Sequence, residues 1–163
     1  MDPLSLLFRL WMLCFGITFV WTLLLVMVSR AVGARPVSVT LGYGPTLVTC
    51  HVGGIPWSLR PIPGGSGVRF KGQAEDPGFN DGLLQLSAPR YAAVILLPWV
   101  VQLTIGMACL GTSEALHQFG SGFAMPFELF LLRGRVERFF ALVQQGEWVT
   151  AWGLLSVKMA AFN

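Results

Sequence analysis

The run LWMLCFGITFVWTLLLVMV, Leu10 to Val28, decides how the rest of the chain is read, because its nineteen residues carry no charge. At about 1.5 Å of rise per residue, a helix of this length is close to the roughly 30 Å hydrocarbon thickness of a bilayer. Upstream, Met1 to Arg9 is a short lead with Pro3 near the helix start, where its missing N–H is not needed. Trp11 stands where an interface anchor would, and Trp21 lies deep in the run. Downstream, Ser29, Arg30, Gly33 and Arg35 make a basic turn. Pro36 stops the helix, since it cannot donate to the ladder and it restricts Arg35 before it. Val37, Val39 and Leu41 then alternate with Ser38 and Thr40, the period of a strand, which Gly42-Tyr43-Gly44 closes before Pro45.

Further along, 46–52 and 55–59 read as a hairpin around Gly53-Gly54. Pro61, Pro63, Gly64, Gly65 and Gly67 read as a loop, and the absence of a following G-K-[ST] separates it from a phosphate-binding loop. The polar stretch from Lys71 to Gly82, with Glu75, Asp76 and Asp81, reads as an exposed loop without EF-hand spacing. A second apolar span covers roughly Tyr91 to Thr112, with Pro98 inside it and Gln102 as a polar contact between helices. Glu114 and His117, three apart, read as a local ion pair, because a bridged metal site needs several such motifs. Gly120 to Gly122 reads as a flexible joint. Phe123 to Gln145 mixes aromatics with charges, as in a pair of amphipathic interfacial helices. After Gly146, Trp148 to Asn163 is apolar except for Lys158, and its sixteen residues are short for a span. It is expected to be helical and loosely held.

Composition points the same way. Hydrophobic residues make up 54% and charged residues 12%, the latter about half the usual share in soluble domains. The net charge of +3 is spread thinly, with no basic run dense enough for nucleic acid. Cys14 and Cys109 fall in apolar spans and are expected as buried thiols, and with Cys50 the odd count suggests no disulfide framework. His51 lacks a partner at ligand spacing. The first apolar run is longer than a signal-peptide core and no small-residue cleavage site follows it. The expected fold is therefore mainly α and integral to the membrane. It forms a single membrane domain over 1–163, with spans at about 10–28 and 91–112, a short β-hairpin region, and a partial third span at 148–163. Arg30, Arg35, Arg60, Arg69, Lys71 and Arg90 place the 30–90 loop on the cytoplasmic side. Membrane lipid is the expected partner, and nucleic acid is not.

Four stretches carry a resemblance. GARPVSVTLGYGP (Gly33 to Pro45) resembles the segment that follows the catalytic helix in site-2 proteases, the intramembrane zinc metallopeptidases. There a helix bearing H-E-x-x-H runs into A-R-x-x-G and a strand ending in G-F/Y-G-P. LRPIPGGSGVRF (Leu59 to Phe70) is similar to the family's L-x-P-L-G-G-Y-V, and SAPRYAAVILLPWV (Ser87 to Val100) to its R-A-x-x-x-x-A-G-P-x-x-N helix. LLSVKMAAFN (Leu154 to Asn163) looks like the lead-in to N-x-x-P-x-P-x-x-D-G, with Asn163 at its first position. The resemblance implies a β-hairpin region that holds an extended substrate by strand addition, with Gly42, Gly44, Gly64 and Gly65 in the substrate-strand region. It also implies a transmembrane protein segment as partner.

The chain departs from the family where the chemistry sits. Counting back from Gly33, the H-E-x-x-H slot falls on Trp21-Thr22-Leu23-Leu24-Leu25. Trp21 and Leu25 cannot replace metal-binding histidines, nor Thr22 the general base. The third family ligand, an Asp, would come after Asn163. The expectation is a site-2 protease-like membrane protein without catalytic residues or bound zinc, a pseudoprotease or a fragment. Two alternatives stay open: an incomplete chain of an active metalloprotease family, and an unrelated small membrane anchor or subunit.

Overall fold

The computed structural model describes residues 3–71, 83, 86–124 and 132–162. The elements in chain order are α1 (Pro3–Ala31), β1 (Pro36–Tyr43), β2 (Val48–Val52), β3 (Ile55–Leu59), β4 (Ile62–Phe70), α2 (Ala88–Leu110), α3 (Thr112–Ala124), α4 (Leu132–Gln145) and α5 (Trp148–Phe162). The chain is mostly helical with one small sheet. Among the described residues, two helices, Leu4–Ala31 and Ala88–Leu110, are long and apolar enough to cross a membrane. The chain divides into two compact units, one of Cys14–Pro98 and one of Met1–Leu13 with Trp99–Asn163.

In the Cys14–Pro98 unit, α1 stops through two bonds at its end. The Gly33 N–H donates to the Arg30 carbonyl at 3.1 Å and the Ala34 N–H to the Ser29 carbonyl at 2.9 Å. This is a Schellman cap, and it needs the positive φ of +93° that Gly33 adopts. The chain then enters β1, which runs between parallel β3 and antiparallel β4, while β2 pairs antiparallel with β3. Val39, Leu41, Ile55 and Trp57 from the sheet form a buried cluster with Val26 of α1. Phe15 and Leu23 pack on this cluster, and the Phe19 ring lies 6.0 Å from that of Trp57. Positions 15, 19, 23 and 26 are spaced to form one helical face. Burying side chains of this size contributes roughly 1.5–3 kcal/mol each. At the hairpin tip, Arg30 donates to the Gly53 carbonyl at 2.6 Å and ties the turn to the helix end.

The hairpin expected at 46–59 is present as β2 and β3, with Val52 paired to Ile55. Of the loop expected at Pro61–Gly67, only Pro61 is irregular, and from Ile62 onward it is the strand β4. Its prolines and glycines misled because they are tolerated on a sheet edge, where half the N–H groups have no partner to serve.

In the other unit, Leu6, Leu10 and Leu13 of α1 meet Phe139, Leu142 and Val143 of α4 and Ala151 and Trp152 of α5. The Arg9 guanidinium lies 5.1 Å from the centre of the Trp148 ring, within cation–π range. A single glycine, Gly111, separates α2 from α3. The joint expected at Gly120–Gly122 is continuous α3 helix. It stays helical because Gly122 is buried against Ala161, where an added Cβ would come within 2.6 Å. Of Phe123–Gln145, expected as an interfacial helix pair, Leu132–Gln145 is helical as α4. Residues 125–131, Glu128 among them, lie outside the described residues, as do the acidic loop at 72–82 and Asn163.

The segment expected to be loosely held, α5, is well buried. Ala151, Gly153, Ser156, Val157 and Ala160 are covered, and the Trp99 indole N–H donates to the Ala160 carbonyl. Small residues allow this close approach, as at Gly153, where a Cβ would lie 2.5 Å from that of Cys109. Lys158 donates to the Gln118 carbonyl at 2.7 Å and to the Ser121 hydroxyl at 2.5 Å. Gln102 is only 2% exposed and its Oε1 has no donor among the described residues, so that oxygen does not make the expected helix-to-helix contact. Glu114 accepts from Gln118 at 2.8 Å rather than pairing with His117. The cysteines are free, with Cys14 and Cys109 half-buried rather than fully covered and Cys50 exposed.

Candidate functional site

Asn163, at the first position of the last family motif, lies outside the described residues, and the other positions singled out by sequence lie in the Cys14–Pro98 unit, in two places with different character. The first is the α1 turn from Trp21 to Leu25. Trp21 and Leu25 are half-buried, and Thr22 is fully buried. The Thr22 hydroxyl donates to the Thr18 carbonyl at 2.7 Å, and that of Thr18 to the Cys14 carbonyl at 2.8 Å. These are back-bonds within one helix. An indole N–H only donates and an alkyl chain has no lone pair, so this turn offers zinc no ligand and a proton no base. Among the described residues, no group of three His, Cys, Asp or Glu gathers anywhere. The residues present do not fit a zinc site.

The second place is the crossing of β1 and β4, along which the four glycines singled out by sequence lie: Gly42 in β1, Gly44 just after it, and Gly64 and Gly65 in β4. Tyr43 pairs with Ile62 in the register of the two strands. Gly42 lies beneath this crossing at φ +85°, and a Cβ there would stand 2.6 Å from the Ile62 carbonyl oxygen and 2.8 Å from that of Arg60. Both are backbone atoms, so only glycine fits. Gly44 lies over the Pro61 ring, with a Cβ due 3.3 Å from its Cγ. Gly65 backs directly on the Tyr43 ring, while Gly64 faces open space. Gly42, Gly44 and Gly65 therefore shape the strand crossing, and Gly64 does not.

β2 and β4 are the sheet's two edges, and no further strand pairs with either among the described residues. Along β4, Ile62, Gly64, Ser66, Gly67 and Arg69 are exposed, and so is every residue of β2. An edge of this kind presents unpaired N–H and C=O groups that can accept another extended chain. Tyr43, Leu47, Val48, Val52 and Ile62 are each more than half exposed, leaving an apolar surface around the strands. His51 is in β2 and exposed, with no acidic or cysteine pair gathered around it among the described residues.

Sequence reasoning missed a polar group in the other unit, formed by Gln118 and Ser121 of α3, Arg135 of α4 and Lys158 of α5. Arg135 donates to the Ser121 carbonyl at 3.3 Å. The signal was the spacing of Glu114, His117, Gln118 and Ser121, which puts four polar residues on one stripe of α3. No protein-family model and no characterised protein matches the chain.

Proposed function

We propose that the chain is an integral membrane protein of the site-2 protease type that binds rather than cuts, holding an extended segment of a membrane protein as an added strand along β4. The observation that carries the reading is the β1–β4 pairing, where Gly42 lies against the Arg60 and Ile62 carbonyls, Gly65 lies against the Tyr43 ring, and the outer edge of β4 is left exposed. Strand addition draws its affinity from main-chain hydrogen bonds, so an edge poor in side chains suits it. The two apolar helices support membrane insertion, and the basic residues between them favour the cytoplasmic side for the sheet. Proteolysis is left out because the Trp21–Leu25 turn supplies neither metal ligands nor a base.

The test is photo-crosslinking in native membranes from a benzophenone amino acid at Ser66, with Val48 on β2 as the comparison site. The expected result is protein adducts from Ser66 and none from Val48. A pair of proline substitutions sharpens it. Ser66 and Gly67 are adjacent in β4 and pair with Leu41 and Thr40, so their N–H groups point to opposite edges. One of Ser66→Pro and Gly67→Pro breaks the β1 ladder, and the other leaves the fold intact but removes the adduct. Lipid adducts alone at both sites, or zinc-dependent cleavage of a membrane substrate by the purified chain, would overturn the proposal.

A further inference from the structure

The β4 edge changes character along its length. At one end Tyr43 pairs with Ile62, and both side chains are more than half exposed. At the other end Arg69 pairs with Ser38, and the Lys71 N–H donates to the Arg35 carbonyl at 2.9 Å. Arg35, Arg69 and Lys71 are all exposed. Val68 packs on the buried cluster and Phe70 is buried, so by strand alternation Arg69 and Lys71 lie on the face turned away from α1. Gly64, Gly65, Ser66 and Gly67 lie between the two ends and put little side chain in the way. The described residues of the Cys14–Pro98 unit hold no Asp or Glu. With Glu75, Asp76 and Asp81 counted from the sequence as well, residues 14–98 carry six Arg and Lys against three acids.

We propose that β4 selects an acidic segment: an extended chain whose two carboxylates, two residues apart, meet Arg69 and Lys71 while an apolar side chain lies against Ile62 and Tyr43. The inference rests on the strand-addition reading and names the class of segment that the edge takes. Main-chain bonds accept any sequence, so the choice among partners comes from side chains beside the ladder. Cross-strand neighbours of opposite charge attract and like charges directly opposite repel, so a basic segment is the one rejected. Residues i and i+2 of a strand share a face, so the acids are spaced as Arg69 and Lys71 are. The strand from Ile62 to Arg69 covers roughly 23 Å at about 3.3 Å of rise per residue, which puts the apolar and acidic ends of the segment about seven residues apart. Arg35 adds positive charge at the same end and strengthens the attraction at longer range.

The experiment uses the full chain in phosphatidylcholine nanodiscs, with the benzophenone amino acid at Ser66. The probes are synthetic peptides that share an alternating Val-Thr sequence with leucine at one end and carry Glu-Thr-Glu, Gln-Thr-Gln or Lys-Thr-Lys at the other, each made in both chain directions. At low salt the Glu peptide is expected to be captured at about fivefold lower concentration than the Gln peptide, the size of two exposed ion pairs, and the Lys peptide least of all. High salt should shrink the preference. Arg69 and Lys71 are exposed, so substitutions there leave the core alone. Arg69→Gln with Lys71→Gln should bring the Glu and Gln peptides level, and Arg69→Glu with Lys71→Glu should make the Lys peptide the one preferred. Adding phosphatidylglycerol to the nanodiscs should leave the preference in place. Equal capture of the Glu and Gln peptides by the unsubstituted edge overturns the inference and leaves strand addition standing, as does a preference indifferent to the paired Gln substitutions. Loss of the preference in phosphatidylglycerol would give these cations to lipid headgroups and also overturn it. Capture of none of the peptides overturns strand addition itself and the inference with it.

Discussion

The sheet of the Cys14–Pro98 unit and the α3–α5 helices of the other unit both rely on glycines, and they use them differently. At Gly42 the neighbours are the carbonyl oxygens of Arg60 and Ile62. At Gly153 they are the side chains of Cys109 and Leu110, at Gly122 that of Ala161, and at Gly106 that of Val157. A backbone oxygen in a paired strand cannot move without breaking its ladder, whereas a side chain on a helix can turn or the helices can part slightly. The same one-carbon addition should therefore cost most in the sheet and less in the helices, where a better helix former offsets part of it.

Gly42→Ala tests the first half of this. Overpacking against two backbone oxygens, added to left-handed strain for a residue with a Cβ, should destabilise the chain by about 3 kcal/mol. Equilibrium unfolding in mixed micelles is the readout, with loss of crosslinking from the β4 edge expected alongside it. A loss below about 1 kcal/mol would mean that the β1–β4 crossing is slack and that the comparison fails.

Gly153→Ala should cost about 1 kcal/mol, since overpacking against Cys109 and Leu110 exceeds the propensity gain of alanine over glycine. Gly134→Ala, in α4 with nothing within 4 Å of the added carbon, should reverse the sign and stabilise by up to about 1 kcal/mol. If both substitutions stabilise, the small-residue packing of α5 is not what holds it.

The contrast also explains what was legible beforehand. The alternation of Val37, Val39 and Leu41 and the Gly53-Gly54 turn are local signals, and β1, β2 and β3 follow them. β4 was hidden because Pro61, Pro63 and three glycines read as a loop, and only its place on an edge beside β1 makes them acceptable. The burial of α5, whose helix was expected, was hidden for a related reason. Fifteen residues fall short of a bilayer, but Gly153 and Val157 pack against Gly106 and Ala161 against Gly122, both distant in sequence. The polar group of Gln118, Ser121, Arg135 and Lys158 draws on α3, α4 and α5 together, so no window of sequence could contain it. The poverty of ligands at Trp21, Thr22 and Leu25 needed no structure, because it lies in the residue types.

The smallest effect is expected at Thr22, where a buried polar group contributes shape more than bonding. Its hydroxyl donates to the Thr18 carbonyl at 2.7 Å inside α1. That carbonyl also accepts from the helix's own N–H at Thr22, so removing the hydroxyl leaves no orphaned acceptor. Valine fills nearly the same volume and leaves no buried hydroxyl to satisfy. Thr22→Val should therefore change unfolding by less than about 1 kcal/mol, and crosslinking from Ser66 should be unchanged. Thr22→Glu at the same fully buried position places an unpaired carboxyl in an apolar setting and should cost several kcal/mol. The pair separates size and polarity from chemistry. If Thr22→Val abolished the Ser66 adduct while the fold survived, the hydroxyl would have a role beyond α1, and the slot would not be the inert turn that its side chains describe.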